Sequence, residues 1–265
     1  MAKKVLFITG TDTDIGKTLI ATGLLEAANS QGKKTAAIKP VAAGCSDTGE
    51  GPQNEDALML QAAASTELSY QQVNPVALDE PMAPHIAAKE QGKRLSADRL
   101  TGFCRGITML PVDLVVIEGA GGWRVPINNR ESMAEIPKQL NAEVVLVVGL
   151  KLGCINHALL TAQAIRSDGL KIAGWVANTM DEDMLRLDEN IDTLKQLINE
   201  PCLGVIPKLS DKSPQHVATF LTVLSTLFIV YFIPIKNQFT FDFSKGDAWG
   251  YETLYAPFDF AIIKS

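Results

Sequence analysis

Apolar residues in this chain gather into short, nearly unbroken runs. Between the runs lie longer stretches whose apolar positions recur every three or four residues. Residues 5–8, 35–38, 112–118, 142–149, 171–178 and 202–207 are runs of the first kind. Apolar character without alternation marks a strand buried on both faces, the habit of a parallel sheet. The intervening stretches predict helices after Lys17, from Asp56, and over 81–88, 96–109, 132–140 and 183–199. A further helix runs to Arg166, with Asn156 placed as its cap. Ser96 is another side-chain N-cap, Gly32 stops the first helix, and Pro137 is a possible break. Strands and helices alternate without an evident repeat. The expected fold is therefore α/β: a doubly wound, mostly parallel sheet with helices on both faces.

The pattern changes near residue 216, which divides the chain into an α/β domain, 1–215, and an atypical aromatic-rich segment, 216–265. Residues 220–233 are almost all apolar, but they fall short of the ~20 residues of a membrane span, and Pro234 interrupts them. A C-terminal helix packed on the domain, followed by an irregular apolar segment, is the expectation. A change of reading frame would produce the same break in composition, and sequence does not separate the two.

At 265 residues with a formal charge of −6, the chain lacks the basic excess of a general nucleic-acid binder. Cys45, Cys104, Cys154 and Cys202 form no C-x-x-C pair, so neither a zinc site nor a disulfide framework is indicated. Met1 to Lys4 run straight into the first strand, leaving no room for a signal peptide, and a cytoplasmic protein is expected.

Chemistry enters with the first strand. It ends at Gly10 in a loop, Thr11 to Ile15, that closes on Gly16-Lys17-Thr18 and opens the first helix at Leu19. Strand, glycine loop, Gly-Lys-Thr and helix together form a phosphate-binding P-loop, in which unpaired N–H groups and the helix dipole meet a polyphosphate. Lys17 would reach the β- and γ-phosphates, and the Thr18 hydroxyl would face Mg²⁺. The spacing is off the usual rule: Thr11 stands where the first glycine belongs.

Lys39 ends the second strand, in the crevice where open α/β sheets bind ligands. Glu118 ends the strand at 112–118 ahead of Gly119-Ala120-Gly121-Gly122, as an acid that holds Mg²⁺ opposite the P-loop threonine would. Asp56 either favours the dipole of its own helix or joins that metal. Asn178, at another strand end, is suited to reading a purine edge. His85 and His157 read as structural residues.

Taken together, the segments resemble dethiobiotin synthetase, an ATP-dependent family of biotin biosynthesis. Gly10 to Thr18 has that family's lengthened P-loop. Lys39-Pro40-Val41-Ala42, Val73-Asn74-Pro75, Glu80-Pro81, Pro84-His85-Ile86, Glu118 to Trp123, Lys151 to Ala158 and Ala173 to Asn178 also match. The likeness runs from residue 3 to about Leu209. It implies a P-loop NTPase-like fold and carboxylation and ring closure of 7,8-diaminopelargonate with CO₂, giving dethiobiotin, ADP and phosphate. It further implies catalysis by Lys17 and Lys39, and Mg²⁺ on Thr18, Asp56 and Glu118. Nucleotide would meet Asp14, Ile15, Gly16, Lys17, Thr18 and Leu19 of the P-loop, together with Asp56, Glu118, Gly119, Ala120 and Gly121. Asn178, Thr179, Pro207, Lys208 and Leu209 would lie around adenine. The diamine and its carbamate would meet Thr13, position 43 and Gly121. Asn156 from the partner subunit of a homodimer would receive the substrate's carboxylate. Small molecules are thus the expected partners, with no nucleic acid and no membrane.

Two departures stand out. Ala43 replaces a substrate-binding serine, which removes one hydrogen bond of ~0.5–1.5 kcal/mol. Gln215 falls near a position where an acid commonly meets the ribose. The rival reading is a ParA/MinD-like switch ATPase or an inactive relative. Against the switch, the early P-loop position where such proteins carry a second lysine is Asp12 here.

Overall fold

A computed structural model describes residues 3–49 and 51–222. Among the described residues eight strands run in chain order: β1 Lys4–Gly10, β2 Thr35–Ile38, β3 Ser46–Asp47, β4 Pro52–Gln53, β5 Leu114–Gly122, β6 Glu143–Leu150, β7 Ile172–Thr179 and β8 Cys202–Ile206. The helices are α1 Lys17–Asn29, α2 Glu55–Ala63, α3 Tyr70–Val73, α4 Pro84–Glu90, α5 Ala97–Thr108, α6 Glu135–Leu140, α7 Cys154–Ser167, α8 Leu187–Leu197 and α9 Pro214–Ala218.

Six strands form one sheet in the order β2-β5-β1-β6-β7-β8, and every pairing within it is parallel. The short β3–β4 pair stands apart as an antiparallel hairpin. The central strands are buried on both faces, which accounts for their unbroken apolar runs. From β1 the chain crosses to the β2 edge; from β5 onward it steps the other way through β6, β7 and β8. Right-handed crossovers therefore put α1 and α6–α8 on opposite faces of the sheet. Adjacent strands β1 and β6 send their chains in opposite directions, and that divergence opens a crevice at their carboxyl ends.

Some expected boundaries move. Pro137 lies inside α6 and is buried without breaking it. It occupies the first turn, where a helix has no internal acceptor for the missing N–H. The helix expected over 81–88 begins at Pro84, again with proline in the first turn. α8 is shorter than the expected 183–199. Asn156 is not a cap: Gly153, in the left-handed region at φ 92°, precedes α7, and Asn156 is the third helical residue.

Residues 214–222 pack back on the domain. Val217 is fully buried against α1 at Gly23, Leu221 bridges to Gly204 of β8, and the Thr222 N–H donates to the Leu203 carbonyl at 2.7 Å. Most of the apolar stretch expected as a C-terminal helix lies outside the described residues. Among the described residues, no helix is long and apolar enough to cross a membrane.

A side chain at Gly204 would collide with the Phe220 main-chain carbonyl. Gly204→Ala should therefore destabilise the protein by about 1–3 kcal/mol, as overpacking does, read as a lower midpoint in urea denaturation. An unchanged midpoint would mean that 214–222 does not dock on β8 in solution.

Candidate active site

The P-loop leaves β1 and enters α1 through two left-handed residues, Asp14 at φ 55° and Gly16 at φ 88°. Gly16 is required twice over. Its φ suits glycine, and a Cβ there would run into the Asn178 amide. That amide donates to the Ile15 carbonyl at 2.8 Å, so the end of β7 buttresses the loop from beside it. Asn178 thus has a structural task in addition to the purine contact expected of it.

Lys17 is buried, and its ammonium donates to the Asp12 carbonyl at 2.9 Å. Burial pulls its pKa down, opposed by the Glu118 charge. Beside it, the Thr18 hydroxyl donates to Glu118 Oε1 at 2.9 Å. The same oxygen accepts from Lys39 Nζ at 2.5 Å, and Lys39 also donates to Asp56 Oδ2 at 2.8 Å. Four residues that the sequence scatters from 18 to 118 therefore meet just past the carboxyl end of β2; Glu118 does not end its strand as expected, because pairing with β1 carries β5 on to Gly122. Lys39 is 5% exposed and Glu118 0%. Burial acts to lower the Lys39 pKa, but the Glu118 and Asp56 carboxylates outweigh it and raise the pKa overall. For Asp56 burial acts upward and the Lys39 cation acts downward; the result lies below the ordinary value.

Two neighbours of this cluster escaped sequence reasoning. The Asn74 amide donates to the Lys39 carbonyl at 2.7 Å, and the Lys39 N–H donates to the Val73 carbonyl at 2.8 Å. They pin the backbone on both sides of the lysine. The Val73-Asn74-Pro75 motif was visible, but nothing local in it points to position 39.

The remaining expected residues divide into groups. Gly121 lies at φ 65°, and a Cβ there would crowd Val125 and come within 3.5 Å of the Thr13 hydroxyl, so those two candidates share one side of the loop. Ala43 is half-buried, and its carbonyl accepts from the Asn54 amide at 3.3 Å. Ala120 follows Gly119 at the end of β5, and Leu19 is the third residue of α1. Asn178 and Thr179 end β7 beside β8, whose continuation is Pro207 to Leu209; the Lys208 ammonium donates to the Met180 carbonyl at 3.0 Å. Asn156 stands apart, exposed to solvent near the start of α7. Gln215 turns to Glu26 at 3.2 Å, near the far end of α1 from the P-loop. His85 lines a separate basic cleft of about 490 Å³. All four cysteines are free thiols.

The parallel sheet, the loop at the switch point and the buried lysine–carboxylate cluster define a P-loop nucleotide-binding protein. Residues 4–216 match a family model described as an AAA domain. The ATP-dependent dethiobiotin synthetase BioD of Cellvibrio japonicus is 56% identical over 227 residues, covering 86% of this chain and 99% of that protein. The corresponding protein of Marinobacter nauticus is 51% identical over 225 residues, 84% of this chain and 95% of its own. The chain belongs to the dethiobiotin synthetase family. The septum site-determining protein MinD of Pyrococcus horikoshii, solved with Mg-ADP, superposes with a TM-score of 0.51 at 16% identity, covering 82% of this chain and 93% of that one. It shares the fold.

The depressed Asp56 pKa has a sign that can be tested. The carboxylate stabilises the fold at pH values above its ordinary 3.8, and that contribution is lost as pH falls through the lower folded value. Asp56→Asn should therefore be less stable than the parent at neutral pH, and the gap should close in strongly acidic urea titrations. A pH-independent gap would remove the ion pair as its cause. Glu118→Gln leaves Lys39 buried with one carboxylate fewer and should cost about 3 kcal/mol in the same assay.

Proposed function

We propose that this chain is an ATP-dependent ligase that carboxylates 7,8-diaminopelargonate with CO₂ and closes the ureido ring of dethiobiotin, releasing ADP and phosphate. The observation that carries the reading is the Lys39 ammonium, buried between Glu118 and Asp56 beside the P-loop threonine. Family membership at more than half identity supports the same reaction.

One diamine nitrogen takes up CO₂ as a carbamate. A carbamate oxygen attacks the γ-phosphate, and the second amine displaces phosphate from the mixed anhydride to close the ring. Negative charge accumulates between carbamate and phosphoryl group during transfer. Lys17 and Lys39 are the cations placed to offset it. Both are largely shielded from water, where such charge stabilisation is strongest. Thr13 and the Gly121 N–H position the diamine and its carbamate. Asn178, Thr179 and Pro207 to Leu209 frame adenine.

The residues suit a magnesium ion. Glu118 Oε2 is buried and has no hydrogen-bond partner among the described residues, an unusual cost that a hard cation would remove. Thr18, Asp56 and Glu118 would hold it, where it would supply positive charge to the β- and γ-phosphates.

Asn156 is exposed at the start of α7; Leu152 just before the helix is 94% exposed, and Leu160 midway along it 56%. We read this end of α7 as meeting a second copy of the chain in a homodimer, with Asn156 and the first-turn N–H groups receiving the substrate carboxylate of the partner's site.

The test is phosphate release from ATP with Mg²⁺ and bicarbonate, with and without the diamine. Release that needs the diamine is expected; release without it would favour a switch ATPase. Lys39→Ala should retain nucleotide binding while kcat falls about 10²–10³-fold. Unchanged turnover would remove Lys39 from the mechanism.

A further inference from the structure

Asp12 presents a puzzle of charge. It is a carboxylate in the loop that receives a triphosphate, and its own carbonyl accepts from Lys17. Left alone it would repel the ligand that the loop exists to bind. The structure pairs it: Lys151 Nζ lies 2.6 Å from Asp12 Oδ2, while Oδ1 accepts the Thr13 N–H at 2.8 Å. Lys151 is the first residue past β6, and Asp12 sits just past β1, the two strands that diverge at the switch point. Thr11 strengthens the same seam, its N–H donating to the Val147 carbonyl at 3.0 Å. The hydrogen bond from Lys151 is also the main reason the Asp12 carboxyl lies below its ordinary range, with His157 of α7 adding to the positive side.

We propose that Lys151 is a positioning residue for nucleotide: it cancels the Asp12 charge across the β1/β6 seam and fixes the loop segment from which Lys17 reaches the phosphates. The inference rests only on the nucleotide-binding part of the function above. Its readout is binding, so a chain that failed to use the diamine would leave it intact.

Both side chains are 43% exposed, so the effect should be moderate and sensitive to salt. In calorimetric titrations of the full chain with ATP, Lys151→Ala should weaken binding about tenfold, one charge being left unpaired beside a polyanion. The loss should be smaller for ADP and should shrink at high salt. Lys151→Arg should restore affinity to within about threefold. The decisive variant is the double one, Asp12→Asn with Lys151→Ala. With the repelling charge gone, it should bind ATP within about threefold of the parent. If Lys151→Ala binds ATP within twofold of the parent, or the double variant binds as weakly as Lys151→Ala alone, the proposal is overturned. Should Lys151→Ala fail to fold, Asp12→Asn alone decides: binding at least as tight as the parent supports the proposal, and weaker binding overturns it.

Discussion

The structure depends on one expensive contact, the buried ion pair between Lys39 and Glu118 at the carboxyl edge of the sheet. Taking both charges out of water costs several kcal/mol each, and attraction at short range repays it only with good geometry and further hydrogen bonds. Asp56 and the Thr18 hydroxyl supply those bonds. Apolar residues of similar size would serve stability as well or better. Charge retained there accords with the role proposed for it, and the cluster sits where open α/β sheets bind ligands.

The pair also constrains its surroundings. It joins β2 to β5 through side chains where the parallel register already joins them through backbone. Through Thr18 it ties both strands to the first turn of α1. The main chain at Lys39 is in turn held by Val73 and Asn74. The Lys39 ammonium is thus held with little freedom left to lose, the condition that the catalytic role proposed for it requires. On the opposite side of the P-loop, the Asn178 amide and the Lys151–Asp12 pair hold the segment that carries Lys17. Supports thus reach the loop from β7 and from the turn after β6, and neither is near it in sequence.

The C-terminal stretch shows the same economy of placement. Composition alone suggested that the domain ends at 215, and the family model stops at 216. Packing nonetheless continues through Leu221, because Val217 and Leu221 fill the space that Gly23 and Gly204 leave open. Small residues on α1 and β8 create a groove that exists only once the helix and the sheet edge have packed together.

The sequence by itself determined the alternation of strand and helix, the buried parallel sheet, the P-loop and the identity of Lys17, Thr18, Lys39 and Glu118 as functional candidates. These are legible because each depends on local order: unbroken apolar runs, Gly-Lys-Thr between strand and helix, a charge closing an apolar run. It left the role of Asp56 open between helix dipole and metal. It misjudged Asn156 and Pro137, since a cap is decided by backbone angles that neighbouring turns impose. Tertiary structure alone decided that Asp56 turns toward Lys39, that Asn74 secures the backbone beneath it, and that Lys151 answers Asp12 from 139 residues away. Hydrogen bonds and ion pairs act over a few ångströms, whereas strand order sets which distant residues come within that range. Only the folded sheet brings them together.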